Sequence, residues 1–157
     1  MQIQTLLFLI DKEQEMVLLA MKKRGFGVGK WNGVGGKVER GEAIGDAVLR
    51  EANEEIGVTV VPHDLMPVAT IKFSFEGSPA DNIQAHVFIT KKWSGEPVET
   101  EEMAPKWFHM DKLPFIEMWV DDEYWLPQVL AGKKLTAQFH FSEDGSNILT
   151  MDVREQR

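Results

Sequence analysis

Three acids in the stretch 36–58, GKVERGEAIGDAVLREANEEIGV, are spaced to do chemistry together: Glu51, Glu54 and Glu55. Apolar residues recur at Ile44, Ala47, Val48, Leu49, Ala52 and Ile56, which is a helical period. At about 100° per residue, the three glutamates fall on the arc held one or two turns earlier by Ile44, Ala47 and Val48. An inward stripe therefore changes from apolar to anionic as the helix proceeds. Like charges three and four residues apart repel, and a partly buried carboxylate needs a partner. A divalent cation is the simplest one, and hard oxygen ligands suit Mg²⁺. The alternative is a solvated acidic face, against which the position on the wheel argues. Gly57 is expected as a left-handed cap, with Val58 supplying the usual apolar contact.

A second set of residues could hold an organic ligand. Seven of the thirteen glycines lie between Gly25 and Gly41, so this segment reads as an irregular loop with close backbone approaches. Lys22, Phe26, Trp31 and Asn32 sit at or within it and offer a cation, two stacking faces and a bidentate amide. The loop matches neither the P-loop nor the dinucleotide fingerprint. Residues 118–125, MWVDDEYW, join an aromatic pair to two adjacent acids; a helix start with Asp121 or Asp122 as N-cap is the plain reading. Arg50 stands four residues after Asp46 and four before Glu54, in reach of either on a helix surface. Glu99, Glu101 and Glu102 read as solubilising loop acids. His63, His86, His109 and His140 show no metal-type spacing and read as structural. With no cysteine and no G-x-S-x-G elbow, a covalent nucleophile has no evident carrier.

The elements that must position these groups are legible in outline. Residues 3–10 and 16–21 are apolar runs suited to strands, 67–75 and 82–90 form two more joined by EGSPAD, and VTVVP after the helix reads as a short strand. In the strand at 67–75, Ile71, Phe73 and Phe75 share a face. KKWSGEPVETEEM is a surface loop, PKWFHM a short strand, and LPFIEMWVDDEYWLPQVLAG a turn followed by a helix that stops near Gly132. TAQFHF and NILTMDV flank SEDGS as a hairpin. Strands mixed with two helices imply an α/β (α+β) sheet covered on both faces.

Bulk properties narrow the partners. A chain of 157 residues, 43% apolar and 27% charged, is of a size for one domain with a sizeable core. A net charge of −8 opposes binding to a nucleic-acid backbone. A small polyanion still fits if cations bridge it to the acids. No signal-peptide pattern, bilayer-length apolar run or cysteine framework is present, so a cytoplasmic protein with no membrane partner is expected.

The spacing Gly36, five residues, Glu42, seven residues, Arg50-Glu51-x-x-Glu54-Glu55-x-Gly57 resembles the complete box of the Nudix hydrolases, with the small Ala52 at the aliphatic place after Glu51. Adding Lys22-Lys23-Arg24-Gly25-Phe26-Gly27, Trp31-Asn32-Gly33 and Trp119-x-Asp121-Asp122-x-Tyr124-Trp125, the likeness narrows to the MutT-like members that act on oxidised purine nucleoside triphosphates. It runs from about Thr5 to Asp152, with Val120 where proline is expected. The resemblance implies one Nudix domain over 1–157, a mixed sheet sandwiched between helices. It implies a monomeric hydrolase that sanitises the nucleotide pool, turning 8-oxo-dGTP or 2-hydroxy-dATP into monophosphate and pyrophosphate. It also assigns residues. Glu51, Glu54, Glu55 and Arg50 are catalytic, and the Gly36 carbonyl, the three glutamates and Glu102 hold Mg²⁺, with Mn²⁺ as a substitute. Trp119 and Phe73 stack the base with Phe26 beside them, Asn32, Asp121 and Asp122 read its edge, and Thr5, Lys22, Gly35, Gly36 and Lys37 complete the substrate site. Other Nudix activities, on methylated-purine nucleotides, dinucleoside polyphosphates or ADP-ribose, are the alternatives, and the Trp-Asp-Asp clamp argues against the last two. A non-catalytic nucleotide sensor is a further one, though no box glutamate is lost.

Overall fold

In the computed structural model, which describes residues 1–156, the chain builds around strand β1 (Gln2–Asp11). Its residues alternate between two buried layers. Leu7 and Leu9 face one side, Phe8 and Ile10 the other, and all four are almost fully buried. Strand β2 (Met16–Lys22) pairs antiparallel with β1 only at Ile10↔Val17 and Asp11↔Met16, then diverges. The glycine-rich segment fills the gap so opened, through isolated bridges Leu7↔Val34 and Gln4↔Lys37 and the two-residue strand β3 (Trp31–Asn32) against β2. That splay brings the loop ahead of the acidic helix against the middle of β1.

Helix α1 (Ile44–Ile56) lies on the Leu7/Leu9 face, burying Ala47, Val48, Ala52 and Ile56. Gly57 ends it at φ 73°, the left-handed conformation expected, and Val58 is fully buried behind it. Strands β4 (Met66–Phe75) and β5 (Ile83–Thr90) pair antiparallel, and β6 (Met103–His109) pairs with β2. Helix α2 (Asp122–Leu130) covers the Phe8/Ile10 face with Trp125, Leu126 and Val129, and β7 (Leu135–Phe141) and β8 (Ile148–Glu155) form the expected hairpin. The sheet order is β3-β2-β1-β5-β4-β7-β8, with β1/β5 and β4/β7 parallel.

This is the mixed sheet between helices that the sequence implied. One element differs: VTVVP makes a single bridge, Thr59↔Ser94, rather than a strand. Val58 and Val60 are drawn into the core beneath α1, so the segment serves packing and not a ladder. No helix among the described residues is long and apolar enough to cross a membrane.

Candidate active site

The carboxylates of α1 separate by burial. Glu55 points inward, 8% exposed, and Oε1 accepts the Gly35 N–H at 2.9 Å. Burial, then the charge of Glu51, pushes its carboxyl up to about 8, against the pull of that N–H. Glu51 is half-buried and also raised by burial, with Arg50 opposing. Glu54 departs from the expected shared arc: its side chain is 59% exposed and turned to Arg50. Consecutive positions differ by about 100°, so when Glu55 faces the core Glu54 must face outward.

Arg50 is the organiser of this face. It makes a two-pronged contact with Glu42 (2.8 and 3.0 Å), and reaches Glu51 at 3.0 Å, Glu54 at 3.2 Å and the Lys37 carbonyl at 3.1 Å. Asp46, the other partner open to it on the helix surface, is not among its ion pairs. The bidentate guanidinium geometry favours a carboxylate held across from it, and Glu42 is such a group. The pairing holds the Glu42 carboxyl down at about 2 and raises the guanidinium.

Gly36 lies against the site so closely that a Cβ there would stand 2.8 Å from Glu51 Oε1. Its carbonyl accepts the Thr5 N–H at 2.9 Å and keeps a second lone pair. Among the described residues no three acidic or imidazole side chains already converge on one point. The donors nonetheless suit a hard divalent cation: two raised carboxylates, Glu51 and Glu55, beside a carbonyl, in a space that a side chain at Gly36 would fill. Glu102 lines the same cleft and its charge contributes to the raised Glu55, but its carboxylate is held by Arg24. Lys23 and Arg24 likewise pair with Glu99 and Glu101.

The aromatic and acidic groups of 118–125 gather at the other end of the cleft. The Asp122 N–H donates to the Trp119 carbonyl at 3.1 Å, a turn that leads into α2. That turn overcomes the alternation of a strand, so both Asp121 and Asp122 face inward, 3% and 2% exposed. Asp121 occupies the N-cap position without making a capping bond; its Oδ2 accepts the Trp125 indole N–H at 2.8 Å instead. Asp122 Oδ2 is buried with no partner. Burial pushes Asp121 up to about 6, and burial plus the neighbouring Asp121 raises Asp122 well above the carboxylate range.

Trp119 meets Phe26, with ring centroids 5.2 Å apart, rather than Phe73. Phe73 lies on the sheet, stacked at 5.7 Å on Phe141 and 6.0 Å on Phe139. One cleft of about 970 Å³ is lined by all three rings, both aspartates, Glu51, Glu55 and Glu102, and by Thr5, Lys22, Asn32, Gly35, Gly36 and Lys37. Thr5 Oγ1 is buried and unpartnered, while Asn32 Oδ1 accepts the Gly33 N–H at 2.8 Å. Glu54 and Arg50 stand outside this lining.

Sequence reasoning passed over several cleft residues. Lys30 Nζ lies 5.2 Å from the Trp119 ring, and nothing periodic in a glycine-rich loop points to it. Trp125 supports Asp121 from four residues on, a helical spacing that was readable. Gln2, Gln4 and Asp81 also line the cleft.

Comparison with known proteins bears on this geometry. The NUDIX domain family model matches residues 2–129. The oxidized purine nucleoside triphosphate hydrolase of Mus musculus is 46% identical over 143 residues, covering 91% of this chain and 89% of that protein. The Danio rerio protein of the same name is 49% identical over 125 residues, 80% of this chain and 78% of that one. Among solved structures, a MutT protein from Bacillus halodurans superposes with TM-score 0.84 at 27% identity, covering 98% and 97% of the two chains.

Proposed function

The chain belongs to the NUDIX domain family, and from that premise we propose that it hydrolyses oxidised purine (deoxy)nucleoside triphosphates to the monophosphate and pyrophosphate, with Mg²⁺ as its working cation. The observation that carries the reading is the cleft itself. An aromatic end, with a buried acid pair, is continuous with a pair of raised glutamates beside the backbone of Gly35 and Gly36. The relatives named for this activity support it.

Glu51, Glu55 and the Gly36 carbonyl would hold the cation, with Glu102 of the same cleft completing its shell and Glu54 reaching it only by turning away from Arg50. Such a cation neutralises phosphate charge and acidifies the attacking water. Arg50 keeps Glu51 and Glu54 aimed by holding them together with Glu42. One of the three box glutamates takes the proton of the attacking water, and Lys22 and Lys37 flank the phosphates.

At the base end, Trp119 and Phe26 supply stacking faces over the Phe73 floor. One carboxyl of the buried, raised pair Asp121 and Asp122 keeps a proton and donates to a base acceptor, while its ionised neighbour accepts from a base N–H. Moving the proton between the two adapts one pocket to an oxidised guanine or an oxidised adenine. The same burial that raises both groups excludes water from competing for them.

The test is pyrophosphate release from a panel of nucleoside triphosphates, with and without Mg²⁺. 8-oxo-dGTP and 2-hydroxy-dATP should exceed dGTP and dATP in kcat/KM by about tenfold or more, which is about 1.4 kcal/mol of discrimination. Equal rates on oxidised and ordinary purines would refute the specificity. In the same assay Asp121→Asn and Asp122→Asn should change the ratio of the two oxidised substrates, and an equal loss on both would refute proton sharing.

A further inference from the structure

The cleft floor is the Phe8-side face of the sheet, and most of what it shows there is apolar: Leu6 from β1, Ile83 and Ala85 from β5, and Phe73 from β4. Gln2 and Gln4 interrupt it. They share the Leu6 face by the period of two along a strand, and both line the cleft. In register Gln2 stands opposite Ile83 and Gln4 opposite Ala85. An amide over an apolar floor needs a hydrogen-bonding partner, and each of these has part of one: Gln4 Nε2 donates to Gln2 Oε1. That contact orients the pair and leaves the Gln4 Oε1 acceptor and the Gln2 Nε2 donors free.

The position of Gln4 along the cleft is set by its neighbours. On its outer side it bridges to Lys37, and the next residue, Thr5, donates its N–H to the Gly36 carbonyl. Gln4 therefore stands beside the loop assigned to the phosphates. The same face of β1 continues through Leu6 to Phe8, which packs edge-on against Trp125 at 6.2 Å, the residue that holds Asp121 at the base end. Between a base and its phosphates lies a sugar. A sugar hydroxyl both donates and accepts, and the free acceptor and donors of the amide pair complement it.

We infer that Gln4, oriented by Gln2, hydrogen-bonds a hydroxyl of the substrate's sugar. The inference rests on the nucleotide-hydrolase reading above. Its test uses three triphosphates of one oxidised purine, the ribo, 2′-deoxy and 2′,3′-dideoxy forms, with the full-length protein, wild type and Gln4→Leu. Leucine keeps the bulk and removes the amide.

A single neutral hydrogen bond corresponds to a change of about three- to ten-fold. Gln4→Leu should lower kcat/KM by that factor on the ribo form, which carries both hydroxyls, and leave the dideoxy form unchanged. The deoxy form then tells which hydroxyl is read. Gln2→Leu should move the same substrates in the same direction, more weakly. An equal fall on all three forms, or no fall on any, overturns the inference, and melting temperatures of both variants separate misfolding from lost contact. Wild-type protein that releases no pyrophosphate from any of the three overturns the nucleotide reading itself.

Discussion

Replacing Asp122 with asparagine should make the protein more stable at neutral pH, and the gain should appear only as the pH rises. Asp121 and Asp122 are almost wholly buried, and both carboxyls are raised: Asp121 from 3.8 to about 6, Asp122 further. A raised pKa in the folded state means that the native protein keeps a proton the unfolded chain has released. Stability is then fully present below about pH 4 and is lost as the pH climbs through the folded-state value. A native carboxyl that keeps a proton the unfolded chain has released costs up to about 1.36 kcal/mol of stability for each pH unit. Asp122 Oδ2 has no hydrogen-bond partner to lose, and an amide of the same shape has no proton to keep or release, so it does not respond to pH in this range. The assay is urea unfolding of wild type and Asp122→Asn across pH 4 to 7. The difference between them should grow in favour of the variant by up to about 1.36 kcal/mol for each pH unit, a large part of a typical total stability over this range. Comparing the two proteins cancels the titration of Glu55, which is raised in both. A difference that stays constant within about 0.5 kcal/mol across that range, the ordinary scale for a neutral surface change, would show that the pair is solvated and not buried.

At the other end of the cleft, Glu51→Gln and Glu55→Gln should each lower kcat by orders of magnitude at saturating Mg²⁺ while leaving cooperative unfolding intact; near-normal turnover in both would return these acids to a structural role. Trp119→Ala should raise KM for the preferred oxidised nucleotide about tenfold or more, since stacking a base on an aromatic ring is worth about 1–3 kcal/mol, and an unchanged KM would remove Trp119 from the base site. Gly36→Ala should lower kcat at least tenfold by driving its Cβ into Glu51, 2.8 Å away, with little change in melting temperature; wild-type kinetics would show that Glu51 moves aside at no cost.

What could be read in the chain without its fold was local. The period of Ile44, Ala47, Val48, Ala52 and Ile56, closed by Gly57, determined a helix and its end, and apolar runs bounded by turn residues marked most strands. The box and the Trp-x-Asp-Asp stretch determined which side chains could act, because residue type and spacing are one-dimensional properties. Tertiary structure decided which of them face the cleft. Glu55 turns inward and Glu54 outward because the core takes one side of α1 and Arg50 holds the other. Trp119 meets Phe26 because the glycine-rich loop folds back into the gap left where β2 parts from β1, and glycines carry no side-chain pattern from which that path could be read. The two aspartates face one way because a turn precedes α2. Gln2 and Gln4 join the site for the same kind of reason: residues distant in sequence meet only once the sheet pairs β1 with β5, and neither strand alone holds that register.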